Sequence, residues 1–325
     1  MIKFSIIIPV KAVNDYVRET VPYIQALNRN DWELIILPNE LEPDEWGDDR
    51  IQIISSGKVG PAAKRDMGAN IAQGEILVFL DDDSYPNSNF LSIALPYFEN
   101  NDVVAIGGPA ITPPTDSFWQ KVSGAVFLSK FSGGNPERYI SIGRPKEVDD
   151  WPSVNFMVRR KEFLEIGGFD SPYWPGEDTK LCLDLVSKTN KKIIYVPDLI
   201  VWHHRRAGLI GHLKQIGAYG IHRGYFARVY PETSRRITYF IPTVFMIFVA
   251  ISCFISIMPP EMKKFILLGW LIYGLALIKA LYDIQRNESF RVGLAAILYI
   301  FLTHLWYGTR FLQGYSTRRL ASRLR

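Results

Sequence analysis

The sequence predicts an α/β domain on a largely parallel sheet followed by an α-helical membrane module, and three observations predict it. Up to about residue 236, short apolar runs alternate with charged, turn-rich stretches in a strand–helix–strand rhythm. Beyond that point three long apolar runs dominate. Within the first part, the apolar run EILVFL delivers three adjacent aspartates, Asp81, Asp82 and Asp83, to what would be the carboxyl edge of a parallel sheet.

The elements follow in order. Lys3–Val10 reads as a buried first strand; ended by Pro9, it is too short for a secretory signal core and lacks a cleavage site. Asn14 is placed to cap a helix running to about Asn28. Trp32–Leu37 and Arg50–Ile54 are short strands, and Pro61 opens a helix to about Gln73. After the strand Glu75–Leu80 come a helix at about Asn87–Glu99 and a strand at Val103–Ile106. Ile111–Asp150 is rich in Pro and Gly and reads as functional loops around one helix near Phe118–Lys130. Regular structure resumes with a strand at Val154–Val158 and a helix at Lys161–Ile166. A helix from Glu177 to about Ser187 and strands Lys192–Val196 and Leu199–Trp202 complete the domain. Such alternation packs helices on both faces of the sheet.

The last part reads as a membrane module. Ile237–Met258 is 22 residues without a charge, enough to cross a bilayer. Phe265–Tyr282 follows after Pro259-Pro260 and Lys263-Lys264, and its one charge, Lys279, lies near the end. Val292–Gln313 is a third run, interrupted by His304 and Arg310. The tail STRRLASRLR carries Arg318, Arg319, Arg323 and Arg325 without an acid, which favours the cytoplasmic side. The expected topology is therefore a hairpin of the first two runs, with the third tilted, interfacial or re-entrant. Ahead of it, residues 207–236 read as basic amphipathic helices against anionic lipid. The boundaries expected are 1–206 for the catalytic domain, 207–236 for the interface helices, and 237–325 for a transmembrane module of two to three helices.

Net charge is only +4, which argues against a nucleic-acid binder. Cys182 and Cys253 support neither a disulfide framework nor a metal cluster, in keeping with a reducing cytoplasm.

Three stretches carry chemistry. Adjacent carboxylates at Asp81–Asp83 repel unless a cation sits among them, and a hard ion such as Mg²⁺ or Mn²⁺ carrying a diphosphate meets that need. In PGEDTKLCLDL, Gly176 frees the backbone while Glu177 and Asp178 occupy a first helical turn. The helix dipole stabilises carboxylates there and keeps one ionised as a general base for an alcohol. VWHHRR sets His203 and His204 on opposite faces of a strand, so that at most one joins a given site. Arg205 and Arg206 follow as diphosphate clamps.

Taken in order, SIIIPV, GPAAKRDMG, GEILVFLDDDSYP, SVNFMVRRKEFLEIGGFD, PGEDTKLCLDL and IIYVPDLIVWHHRR resemble the family 2 glycosyltransferases over residues 3–206. The resemblance implies a GT-A fold, the Rossmann-like fold of nucleotide-diphospho-sugar transferases. It implies that Asp81 and Asp83 form the Asp-x-Asp pair, Asp81 on the nucleotide side and Asp83 on a metal, with His203 near metal and diphosphate. Asp178 resembles the base that deprotonates the acceptor, with Glu177 orienting acceptor or base. Arg65 matches a basic residue of the nucleotide-side helix, Pro9 and Val10 line the base pocket, Asp82 joins the cofactor-binding set, and Asn155 lies on the donor or acceptor side. Two departures stand out. The second strand ends LPNE, so Asn39 and Glu40 replace an acidic base-reading motif, and Lys180 replaces an acid.

The implied reaction is inverting transfer of a sugar, of hexosyl type, from a nucleotide-diphospho-sugar to a lipid-linked acceptor. A polyprenyl-diphosphate-linked saccharide in cell-surface glycan synthesis is the first choice of acceptor and bare polyprenyl phosphate the second. A processive polysaccharide synthase fits less well, because QIGAYGIHRGYF lacks the Gln-x-x-Arg-Trp motif. The intact aspartates argue against a non-catalytic scaffold. The expected site is the cytoplasmic face of the plasma (inner) membrane, in a multi-pass chain that leaves room for a homo-oligomer.

Overall fold

In the computed structural model, which describes residues 2–169 and 171–320, the first part of the chain forms β1 (Phe4–Pro9), α1 (Asp15–Gln25), β2 (Trp32–Leu37), β3 (Ile51–Ile53), α2 (Pro61–Ile71), β4 (Ile76–Leu80), β5 (Ser84–Pro86), α3 (Phe90–Ala94), β6 (Val103–Gly107) and β7 (Ala110–Ile111). After α4 (Phe118–Ala125) come β8 (Lys146–Val148), β9 (Asn155–Arg159), α5 (Arg160–Glu165), α6 (Glu177–Thr189), β10 (Lys192–Tyr195) and β11 (Val201–His203). The remainder is helical: α7 (Leu209–Val229), α8 (Pro231–Ser234), α9 (Ile237–Ser252), α10 (Pro260–Gln285) and α11 (Phe290–Ser316).

The chain divides into two compact units, residues 2–113 with 140–204, and residues 114–139 with 205–320. The excursion 114–139 belongs with the helical unit rather than with the sheet.

The first unit is an eight-stranded mixed sheet in the order β3-β2-β1-β4-β9-β6-β10-β8. β1 runs parallel to β2 and β4, whereas β9 lies antiparallel between β4 and β6. Both faces are covered. Phe4, Ile6 and Ile8 of β1 join Val17, Val21 and Ile24 of α1, while Ile7 turns to the other side with Ala69 of α2 and Leu181 and Leu185 of α6. Period-two alternation of an all-apolar strand produces this double burial. A small second sheet, β5-β11-β7, pairs His203 with Ser84 antiparallel. Its short strands β5 and β7 had no sequence signal.

Within the second unit, two expectations are corrected. Ile237–Met258 does not form one helix: α9 stops after 16 residues, roughly 24 Å of rise, short of a hydrocarbon core of about 30 Å. Ser252 Oγ donates to the Phe248 carbonyl at 2.8 Å and Cys253 Sγ to that of Val249 at 3.5 Å. Such back-bonding disturbs a helix end, and Pro259 follows. Among the described residues, α10 and α11, with 26 and 27 residues, are the two helices long and apolar enough to cross a membrane. Secondly, α7 turns part of its apolar side inward, although Ile210, Tyr219 and Val229 stay exposed. Ile216 and Phe226 are buried, and α7 lies tightly on α11. A Cβ at Gly224 would stand 2.0 Å from the Phe311 carbonyl oxygen, and one at Gly314 1.9 Å from that of Ile221. Paired glycines let the two backbones meet.

α11 crosses the base of the hairpin made by α9 and α10. Its start packs on the end of α10, where Gly293 meets Leu281. Its middle, at His304, meets Phe245 of α9 and Tyr273 of α10. Its end meets the start of α9, with the rings of Phe240 and Tyr315 5.9 Å apart. The polar groups of this run are satisfied by protein. His304 Nε2 lies 2.9 Å from the Ser132 carbonyl, and Arg310 Nε donates to that of Gly217 at 3.3 Å. Of the basic tail, Arg323 and Arg325 lie outside the described residues.

Candidate active site

β4 ends at Leu80, and the chain turns at once into β5, with Ser84 Oγ donating to the Asp81 carbonyl at 2.8 Å. The turn splays the three aspartates. Asp82 accepts from Asn14 Nδ2 at 2.6 Å, and Asn14 in turn caps α1 by accepting from the Val17 N–H. Asp83 is buried, and because β11 pairs with β5, His203 Nε2 comes to 3.1 Å from Asp83 Oδ1. His204, on the other face, bonds Glu19 at 2.9 Å and lies against Tyr16. One ligand atom from each of Asp81, Asp83 and His203 can be chosen so that all lie within 4.8 Å of one another. Two carboxylates and an imidazole form a donor set that suits Mg²⁺ or Mn²⁺.

Arg65, in the first turns of α2, is 3% exposed. It donates to Asp81 at 2.6 Å and to Glu177 at 3.4 Å, with its guanidinium carbon 5.5 Å from the ring centroid of Phe169. Glu177 opens α6 after Gly176, whose φ of +114° is a backbone state that side chains rarely adopt. Glu177 is 5% exposed and its Oε2 has no hydrogen-bond partner among the described residues. Burial, then the neighbouring Asp178 charge, push its carboxyl up to about 7. Asp178 Oδ1 accepts the Thr179 N–H at 2.8 Å. Lys180 turns along the helix to Asp184.

The base-pocket residues fare differently. Val10 belongs to the apolar core, and what it offers inward is its carbonyl, which accepts from Lys64 Nζ at 2.5 Å. Lys64 also reaches the Leu37 carbonyl at 3.0 Å and Asn39 Oδ1 at 2.7 Å. It is 3% exposed, and burial pushes its ammonium down. Lys64 thus gathers the ends of β1 and β2, a role the sequence reading passed over in favour of its neighbour Arg65. The signal was there: a Lys-Arg pair just after Pro61, where a helix start must face the strand ends. Pro9 is buried and Glu40 exposed. Asn155 is fully buried; its amide NH₂ donates to the carbonyls of Pro109 and Leu199 at 3.1 and 2.7 Å, while its Oδ1 has no hydrogen-bond partner among the described residues. Arg205 and Arg206 fall in the second unit. There Arg205 is buried, lies 5.1 Å from the Tyr139 ring and donates its backbone N–H to Asp116, whereas Arg206 is exposed.

The sequence profile of glycosyl transferase family 2 matches residues 5–167, half of the chain. The chain belongs to glycosyl transferase family 2. Over 195 residues this family 2 chain is 26% identical to the glucosyl-dolichyl phosphate glucuronosyltransferase of Haloferax volcanii, covering 54% of the chain and 60% of that protein. Over 161 residues it is 27% identical to the pre-mycofactocin glycosyltransferase of Mycobacterium tuberculosis, covering 50% of the chain and 33% of that protein. The chain therefore spans only part of the length of these curated relatives. Among solved structures, the mannosyltransferase PcManGT from Pyrobaculum calidifontis, in complex with GDP-Man and Mn²⁺, superposes with a TM-score of 0.52 at 15% identity. That match covers 96% of this family 2 chain and 86% of the other. The first unit has the GT-A fold.

Proposed function

We propose that this chain is an inverting, metal-dependent hexosyltransferase that moves a sugar from a nucleotide-diphospho-sugar to a lipid-linked acceptor. The observation that carries the reading is the convergence of Asp81, Asp83 and His203 at the end of β4, with Arg65 joining Asp81 to the helix start that bears Glu177 and Asp178. Asp83, Asp81 and His203 would hold Mg²⁺ or Mn²⁺. When bound, the ion neutralises charge on the diphosphate leaving group.

The chain's own residues supply the rest. Lys64 and Asn39 fix the strand ends beside the nucleotide side. Asp178, ionised at a helix N-terminus, accepts the proton of the acceptor hydroxyl. The acceptor oxygen then bonds to the anomeric carbon from the face opposite the phosphate, the carbon–phosphate-oxygen bond breaks, and the nucleoside diphosphate departs. One displacement inverts the anomeric centre, with no covalent enzyme intermediate. Glu177, whose carboxyl is pushed up to about 7, orients the base.

The acceptor class follows from the helical unit. α10 exposes Phe265, Leu268, Leu271, Ile272 and Leu275, an apolar surface that fits lipid. The glucuronosyltransferase relative, by its name, acts on a glucosyl-dolichyl phosphate. The reading is a polyprenyl-linked saccharide acceptor at the cytoplasmic face of the inner membrane, in a multi-pass chain. A panel of nucleotide sugars assayed for nucleoside-diphosphate release with Mn²⁺, Mg²⁺ and EDTA tests it. Release from at least one donor, abolished by EDTA, is expected; release unaffected by EDTA refutes the metal role.

A further inference from the structure

The link between α10 and α11 and the first turns of α4 line an open cavity of about 660 Å³, within the size range of small-molecule sites. Its wall carries opposite charges, Lys121 and Arg286 against Asp116 and Glu288, with Phe118 at the edge. Asp116 is buried and accepts the Arg205 N–H at 3.1 Å, and Arg205 is two residues beyond His203 in the chain. Lys121 and Glu288 are half-buried. The half-buried Lys121 ammonium faces Glu288 and the exposed Arg286 guanidinium faces Asp283 electrostatically, and neither makes a hydrogen bond or a salt bridge among the described residues.

This charge pattern discriminates between ligands. A bare divalent cation would meet Lys121 and Arg286, and inorganic phosphate would meet Asp116 and Glu288, each a repulsion. A group with a phosphate next to hydroxyls uses all four. The guanidinium and ammonium take the phosphate, the carboxylates accept from the hydroxyls, and the Phe118 ring takes the C–H face of a sugar. The level fits as well, since residues 286–289 are a polar link between two long apolar helices, at the base of a hairpin suited to a bilayer.

We propose that this cavity seats the phosphosugar headgroup of the lipid-linked acceptor, a reading that rests on the function proposed above. The test uses the full chain in phosphatidylcholine nanodiscs and farnesyl-phospho-glucose as the probe, with binding followed calorimetrically. Lys121→Met with Arg286→Gln should weaken the probe by at least about tenfold, the loss of charge-assisted contacts to phosphate. Lys121→Arg with Arg286→Lys should restore binding to near wild type, which a folding defect would not do. Unchanged probe binding in the Met/Gln variant overturns the proposal. So does displacement of the probe by equal concentrations of phosphatidylethanolamine or inorganic phosphate. Mn²⁺-dependent binding of nucleotide is read in parallel and should be the same in both variants. If no nucleotide binds to any form while the Met/Gln variant still loses the probe, the cavity assignment stands as a headgroup site and the transferase reading falls.

Discussion

Arg65 holds Asp81 at 2.6 Å with a guanidinium that is itself almost wholly buried. The same group reaches Glu177, so the end of β4 and the start of α6 are registered through one cation. Replacing Arg65 by Met leaves one buried carboxylate and one half-exposed one without their partner. Removing one side of a buried ion pair costs about 3–5 kcal/mol, and the exposure of Asp81 places the expected loss near the lower figure. Chemical denaturation of Arg65→Met against wild type measures it, and an unchanged midpoint would mean that the strut bears no load.

Asp83→Ala removes the most buried carboxylate of the cluster. The fold should persist, but the rise in thermal midpoint produced by a nucleoside diphosphate with Mn²⁺ should disappear. His203→Ala should keep some of that rise at higher Mn²⁺. A full Mn²⁺-dependent shift in Asp83→Ala would move the metal elsewhere.

Asp178→Asn keeps the shape of the helix start and removes the proton acceptor. Turnover should fall by about 10²-fold or more, the usual scale of general-base catalysis, while donor binding hardly changes. If turnover stays within a few-fold of wild type, Glu177 is the next candidate for the base.

Glu177 links pH to stability. Its carboxyl is raised from 4.5 to about 7 in the fold, so the folded state holds the proton more tightly than the unfolded chain. Its contribution is therefore complete below pH 4.5 and is lost as pH rises through 7. Glu177→Gln mimics the protonated form at every pH. Relative to wild type the variant should gain stability between pH 5 and pH 8, on the order of 1–3 kcal/mol. Parallel pH profiles for the two proteins would contradict the shift.

Topology is tested by cysteine accessibility in a Cys253→Ser background. With α11 across the base of the hairpin, its two ends share a side with the start of α9, and the α9–α10 turn lies opposite. With α9 extended to the far side by the apolar segment 253–258, Ser256→Cys should react with an impermeant reagent outside intact cells, and Thr317→Cys only after lysis. Reaction of Thr317→Cys from outside would make α11 a full span.

Most of the sheet was legible because buried parallel strands are written as uninterrupted apolar runs. Phe4–Pro9, Trp32–Leu37 and Ile76–Leu80 lie within a residue or two of where their patterns put them. β5, β7 and β8 were not legible, being two- or three-residue pairings set by tertiary context rather than by local pattern. The metal-side cluster was readable from DDD and HH, since strand alternation alone separates His203 from His204. Lys64 was signalled only by its place beside Arg65, because its role depends on where the ends of β1 and β2 converge. In the helical part, hydropathy gave the apolar runs but not the break after Ser252, which depends on side-chain bonds back to the helix.

The excursion 114–139 has a consequence for how the protein is made. Ser129 bonds Asp283, and the Ser132 carbonyl meets His304, partners 154 and 172 residues further along the chain. At a synthesis rate of about 5–20 residues per second, the excursion waits roughly 10–30 s for the helices that cover it. During that interval Phe127, buried in the finished protein, can pack on Tyr139 and then on His212, while Ser129 and Ser132 still wait for α10 and α11. The sheet strands on either side are made before those helices, so the cover of the excursion is complete only once α10 and α11 arrive.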